Sequence, residues 1–185
     1  TLAGLLTSTD AVTWTTMTGY SGTGSNILSI GFGSSTLVYA GVSGLLATST
    51  DGHTWVSRTS GTASNINTVT FGTNFVYAGA GGVLASSTDA ITWNAQTSGT
   101  TSSIQSVIHG SLYVYSGLGG VLASSTDAVT WTTRTSGTTS NLNALVFSNT
   151  FYNACGAGGV TLESPDAITW YTRTSATTTV LNAAA

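Results

Sequence analysis

The chain has no lysine, and its only cations are Arg58, Arg134 and Arg173. Charged residues of both signs make up 5% of it, far below the quarter typical of globular domains. A net charge of −3 with three arginines leaves no electrostatic footprint for nucleic acid or for an anionic membrane surface. No apolar run approaches the roughly 18 residues that span a bilayer, so membrane insertion is not expected. Cys155 is the single cysteine, which excludes an internal disulfide and leaves the redox compartment unread. The chain begins at Thr1 without a signal peptide, which predicts a processed or longer polypeptide. The scarcity of charge points to an extracellular or virion-surface setting.

What the chain has instead is hydroxyls, glycine and regular aromatics. Serine and threonine supply about a third of its residues, a bias toward strands and turns. A hydrophobic content of 41% argues against disorder.

Internal repeats are plain. Thr9-Asp10-Ala11-Val12-Thr13-Trp14 returns around Asp51 and Trp55, Asp89 and Trp93, Asp127 and Trp131, and Asp166 and Trp170. Successive aspartates lie 41, 38, 38 and 39 residues apart, close to the period of a four-stranded propeller blade. In the third copy, residues 66–71 read as strand A and 75–78 as strand B. A turn follows at Gly79 to Gly82, then strand C at 83–87, an Asp89-Ala90 turn, and strand D at 91–96. Residues 97–103 link to the next strand A. Weak alternation within these strands fits blades covered on both faces. A solenoid would take 20–30 residues per coil with fewer strands, and no segment keeps a helical apolar period.

The predicted fold class is therefore all-β: a five-bladed β-propeller forming a single domain over 1–185, with repeats at about 1–26, 27–65, 66–103, 104–141 and 142–185. Leu181-Asn182-Ala183 matches Leu142-Asn143-Ala144, so the termini are expected to share the closing blade. The residues before Asp10 and after Asp166 total 28, short of a 38-residue period by about one strand. That blade is expected to be incomplete, or the chain part of a longer one.

Each Asp is expected to accept backbone N–H groups and hold an Asx-type turn, with Asp51-Gly52 also suited to a two-residue hairpin. Each Trp supplies a large side chain for packing against a neighbouring blade. Ser-Thr-Asp-Ala-Val-Thr-Trp and Ser-Thr-Asp-Gly-His-Thr-Trp resemble the Asp-box repeat of sialidases and of photosystem II assembly-factor propellers, five times over nearly the whole chain. The Asp-to-Trp spacing is one residue shorter than the commonest family form, and the family's glycine survives only at Gly52.

The resemblance makes glycoside hydrolysis the first chemistry to test. Sialidases are similar in using a tyrosine nucleophile, an acidic partner and three arginines on the substrate carboxylate; most other glycosidases use paired carboxylates. Five of this chain's six acids are the turn aspartates, and Glu163 has no acidic partner outside a turn. The arginines share one repeat position, held by Met17 and Gln96 in the other copies, and are expected at the periphery. An assembly-factor propeller implies an arginine-rich patch that three dispersed arginines do not make.

His53 and His109 occupy different repeat positions without a second ligand, and one carboxylate per turn falls short of a calcium site. No catalytic, cofactor or metal residues are assigned, and no cofactor is expected. A possible ligand face gathers Asn67, Gln105, Asn143 and Asn182 where strand A begins, suited either to bonding linker backbone or to a sugar. The leading expectation is a non-enzymatic structural or adhesive propeller, similar to modules of virion structural proteins and tail fibres of bacterial viruses. Its partners would be other structural proteins of the particle or surface glycans. The alternatives are a lectin-like carbohydrate-binding propeller and a degenerate sialidase-like hydrolase fragment.

Overall fold

The computed structural model describes residues 6–8, 10–16 and 26–184. A short hairpin, β1 (Leu6–Thr7) with β2 (Thr15–Thr16), precedes four complete four-stranded antiparallel sheets. The first sheet is β3 (Ile27–Gly33), β4 (Thr36–Gly41), β5 (Leu46–Ser49) and β6 (Val56–Ser57). The second is β7 (Ile66–Phe71), β8 (Phe75–Gly79), β9 (Leu84–Ser87) and β10 (Asn94–Ala95). The third is β11 (Ile104–His109), β12 (Tyr113–Gly117), β13 (Leu122–Ser125) and β14 (Thr132–Arg134). The fourth is β15 (Leu142–Ser148), β16 (Phe151–Gly156), β17 (Thr161–Ser164) and β18 (Tyr171–Arg173). In each sheet, spatial order follows chain order, and the first strands β3, β7, β11 and β15 pack one against the next. The middle strands β8, β9, β12 and β13 are buried throughout, because each blade is sandwiched between two others.

Two sequence expectations need correction. Strand D is shorter than 91–96: only Asn94–Ala95 pair with β9, because the Asp turn uses the residues before them. Likewise Asp51-Gly52 is not a two-residue hairpin. The last pair before the turn is Thr48 with Val56, so residues 49–55 form a seven-residue connection.

The core lies between blades. Val38, Ala40 and Leu46 of the first blade pack against Ile66, Val69, Tyr77 and Ala85 of the second, and the same faces meet at the next two junctions. Trp93, Trp131 and Trp170 lie on the face turned toward the preceding blade, and the tryptophans of the first three sheets stack on a strand-B tyrosine of their own sheet. Trp55 meets Tyr39 at 4.6 Å, Trp93 meets Tyr77 at 4.8 Å and Trp131 meets Tyr115 at 5.2 Å. Trp14, in the first copy, is exposed.

The glycine that ends β3 and those that directly follow β7 and β11 seat aromatics of the following blade. A Cβ at Gly33 would enter the Phe71 ring, one at Gly72 the His109 ring, and one at Gly110 would lie 2.6 Å from Phe147. His109 thus occupies a phenylalanine position, stacking on Tyr113 at 4.3 Å as Phe71 does on Phe75. Burial lowers its pKa, consistent with an aromatic held neutral in the packing.

Candidate functional site

The five aspartates are all in one geometry. Asp127 Oδ1 accepts the N–H groups of Val129 at 2.8 Å and Thr130 at 2.7 Å, and the same two bonds recur at Asp10, Asp51, Asp89 and Asp166. The serine two residues earlier adds a third bond: Ser8, Ser49, Ser87, Ser125 and Ser164 donate their hydroxyls to the carboxylates. Each of these serines also accepts the aspartate's own N–H, locking the turn from both sides. This role was missed in the sequence, although the serine recurs in all five copies.

The residue after each Asp has a left-handed backbone: φ is 59° at Ala11, 72° at Gly52, 59° at Ala90, 64° at Ala128 and 61° at Ala167. The turn therefore still makes the backbone demand that a glycine would meet. Alanine fills the position in four copies, and in three of them (Ala90, Ala128, Ala167) its methyl is fully buried. Burying that methyl offsets part of the left-handed cost of about 1–2 kcal/mol.

Hydrogen bonding lowers the pKa of every one of these carboxyls. At Asp127 the Thr130 and Val129 N–H groups bring the pKa to about 2, and at Asp10 those of Thr13 and Val12 do the same. The sign follows: a depressed carboxylate stabilises the fold above its ordinary value near 3.8 and loses that contribution as pH falls through its folded value. Thermal stability should therefore be flat with respect to these groups from pH 7 to about 4 and fall steeply between about pH 4 and 2. Melting curves across that range check it; a loss centred near pH 6 would contradict the turn assignment.

The arginines do not converge. Arg58 Nε donates to Thr48 Oγ1 and Arg134 Nε to Ser124 Oγ, while Gln96 makes the equivalent bond to Ser86. Arg173 meets Glu163 at 2.7 Å at that same repeat position, which accounts for the one acid outside the turns. Each cation is thus tied to strand C of its own blade. Being exposed, the Arg173–Glu163 pair contributes little to stability.

The amides mark a structural device. The pairing of strand A with strand B shifts register by one residue between Ile66 and Thr68, Ile104 and Ser106, and Leu142 and Ala144. Asn67, Gln105 and Asn143 are the bulged residues, and a bulge re-aims its side chain. Asn67 Nδ2 donates to the Ile104 carbonyl at 2.8 Å and to Ser103 Oγ, and Gln105 Nε2 also donates to Ser103 Oγ. Asn143 Nδ2 donates to the Leu181 carbonyl at 3.1 Å and to Asn182 Oδ1. The row therefore bonds along the starts of successive inner strands.

The turns between strands B and C pack on the links between blades. Gly119 N–H donates to Asn141 Oδ1 and Ser43 N–H to Asn65 Oδ1. The links are also bonded internally, Ser60, Ser98 and Ser136 each donating to the carbonyl two residues on. A cavity of about 360 Å³ opens beside one link, lined by Ser60, Tyr77, Gly82, Trp93 and Gln96. Its main polar groups are paired: Tyr77 Oη donates to the Ser60 carbonyl, and burial pushes that phenol up to about 12. Among the described residues, no three His, Cys, Asp or Glu side chains are grouped to hold a metal ion, and no helix is long and apolar enough to cross a membrane.

No family model matches the chain, and no curated protein matches it. Solved structures do resemble it. YCF48 bound to D1 peptide superposes with a TM-score of 0.64 at 20% identity, over 82% of this chain and 55% of that one. YCF48 from Cyanidioschyzon merolae superposes with a TM-score of 0.65 at 14% identity, over 94% of this chain and 64% of that one. The chain thus spans between about half and two-thirds of the length of these structures. At such identities the likeness shows the fold, a β-propeller built from repeated four-stranded blades.

Proposed function

We propose that this chain is a non-enzymatic structural or adhesive propeller module, working on a virus particle or outside a cell. The observation that carries the reading is the fate of the acids. Five carboxylates accept turn N–H groups and serine hydroxyls, and the sixth pairs with Arg173. A glycosidase needs a carboxyl raised toward neutral pH to act as an acid, and these aspartates are shifted the other way. The near-absence of charge, with hydroxyls in its place, suits a repeat packed against other proteins of a particle. A polypeptide partner is in keeping with the propeller YCF48, whose structure was solved with a D1 peptide.

The test is incubation with a fluorogenic sialoside alongside a glycan array. The expected results are no turnover above buffer and no selective glycan binding. Turnover abolished by Asp127→Asn would replace the reading with a hydrolase. Selective glycan binding lost in Asn143→Ala would replace it with a lectin.

A further inference from the structure

Two residues set apart the cavity between the link at 60–62 and the second blade. Ala95 lines it where the other complete blades carry Ser57, Thr133 and Thr172, and Gln96 lines it where they carry Arg58, Arg134 and Arg173. At the next junction the larger side chain reaches the link: a Cβ at Gly99 would lie 3.3 Å from the Thr133 methyl, whereas one at Gly61 would meet nothing within 4 Å. With glutamine in place of arginine, no charged side chain lines the space of about 360 Å³. Its walls are Trp93, Val83 and Leu84, together with Ser60, Thr62 and Gln96, and Trp93 is only partly buried. The Tyr77 hydroxyl and the Ser60 carbonyl already satisfy each other, so the cavity suits an uncharged, largely apolar side chain.

The backbone beside the cavity is open as well. β10 is the outermost strand of its sheet, and both of its residues are exposed. Asn94 stands opposite Ser86, and the Gln96 N–H donates to the Leu84 carbonyl, so these two residues turn their backbone groups inward to β9. By the alternation of an antiparallel ladder, Ala95 between them turns its N–H and C=O outward. A strand paired there would set the residue opposite Ala95 on the same sheet face as the Ala95 side chain, and so toward the cavity. An outward main-chain donor and acceptor therefore stand beside a space for one side chain.

The geometry points to this edge and cavity as one binding site for an extended, uncharged segment of a partner polypeptide. The segment adds as a strand along β10 and seats an apolar side chain against Trp93. Main-chain bonds to Ala95 select a polypeptide over other uncharged ligands, and the cavity selects the side chain opposite it. Both blades that flank the cavity are complete four-stranded sheets, so the site is not a gap left for an element of this fold. Use of the site by a partner rests on the structural-module reading, whereas the peptide binding itself does not. Sialoside turnover would remove the former and leave the latter standing.

The experiment titrates the whole chain against a labelled, terminally blocked peptide, Thr-Val-Thr-Leu-Thr-Val-Thr, by fluorescence polarisation. Saturable binding that survives high salt is expected, because no charge takes part. Glycine in place of the central leucine should weaken binding about tenfold, as should N-methylation of that leucine, which deletes its bond to the Ala95 carbonyl. Ala95→Thr in the protein, which copies Thr133 of the third blade, should cost as much and leave the melting temperature unchanged. Absence of saturable binding, or binding indifferent to Ala95→Thr, would overturn the proposal. So would a concentration-dependent dimer in sedimentation that Ala95→Thr dissolves, because the site would then belong to a second copy.

Discussion

Gly82→Ala is expected to lower the melting temperature by about 10 °C, while Gly81→Ala next to it costs about 2–4 °C. Both glycines have left-handed backbones, with φ of 75° at Gly82 and 67° at Gly81. They differ in what a methyl would meet. At Gly81 nothing lies within 4 Å, and the first blade already carries Ser43 there with φ of 56°. At Gly82 the new Cβ would be driven into the Thr100 carbonyl, backbone that is itself held by Ser98. Backbone strain and overpacking then add, for a loss of about 3–4 kcal/mol. Gly44, Gly120 and Gly159 face Thr62, Thr138 and Thr177 in the same way, so the effect should recur in each blade. Equal shifts at positions 81 and 82 would show that the turn does not rest on the link.

Tyr113→Ala is the second large effect, about 4 kcal/mol, with Tyr113→Phe accounting for about 1–2 of it. Tyr113 is fully buried, and its hydroxyl reaches across the junction to the preceding turn. It accepts the Asn74 N–H at 2.7 Å and donates to the Asn74 carbonyl at 2.9 Å. The phenylalanine variant leaves that N–H without its partner, while the carbonyl keeps the Gly72 N–H. Chain topology explains where this cap appears. Three-residue turns separate Phe71 from Phe75 and His109 from Tyr113, and each is capped by a tyrosine of the next blade, Tyr113 or Tyr152. The two-residue turn at Ser34-Ser35 closes its own strand ladder, and the next blade places Phe75 at that position. Denaturant titration of both variants checks the ratio; a phenylalanine variant as weak as the alanine one would assign the whole effect to the hydroxyl.

Much of this architecture was legible because the repeat is strong. The spacing of the aspartates and the strand–turn order gave the blade, and the spans of β7, β8 and β9 lie within a residue of expectation. Strand D was overestimated because Ile91 and Trp93 read as strand formers, while the Asp89 carboxylate draws the N–H groups of Ile91 and Thr92 into its turn. Local side-chain bonding overrode β-propensity there. The amides were seen as a row, but not that Asn67, Gln105 and Asn143 are bulged residues, since a bulge leaves no trace in the pattern of residue types. The Glu163–Arg173 pair went unread because its two members lie on adjacent strands, ten residues apart in sequence. The described residues contain four complete blades together with the β1–β2 hairpin, and part of the expected first repeat lies outside them.

The central claim is that the aspartates hold turns and do no acid–base chemistry. Carboxyl-carbon NMR titration of the intact chain addresses it residue by residue. The account predicts that all five aspartates titrate below the ordinary 3.8, as their bonds to two backbone N–H groups and a serine hydroxyl require. A single aspartate titrating above about 5 would mark a group held in its protonated form, and would contradict the account.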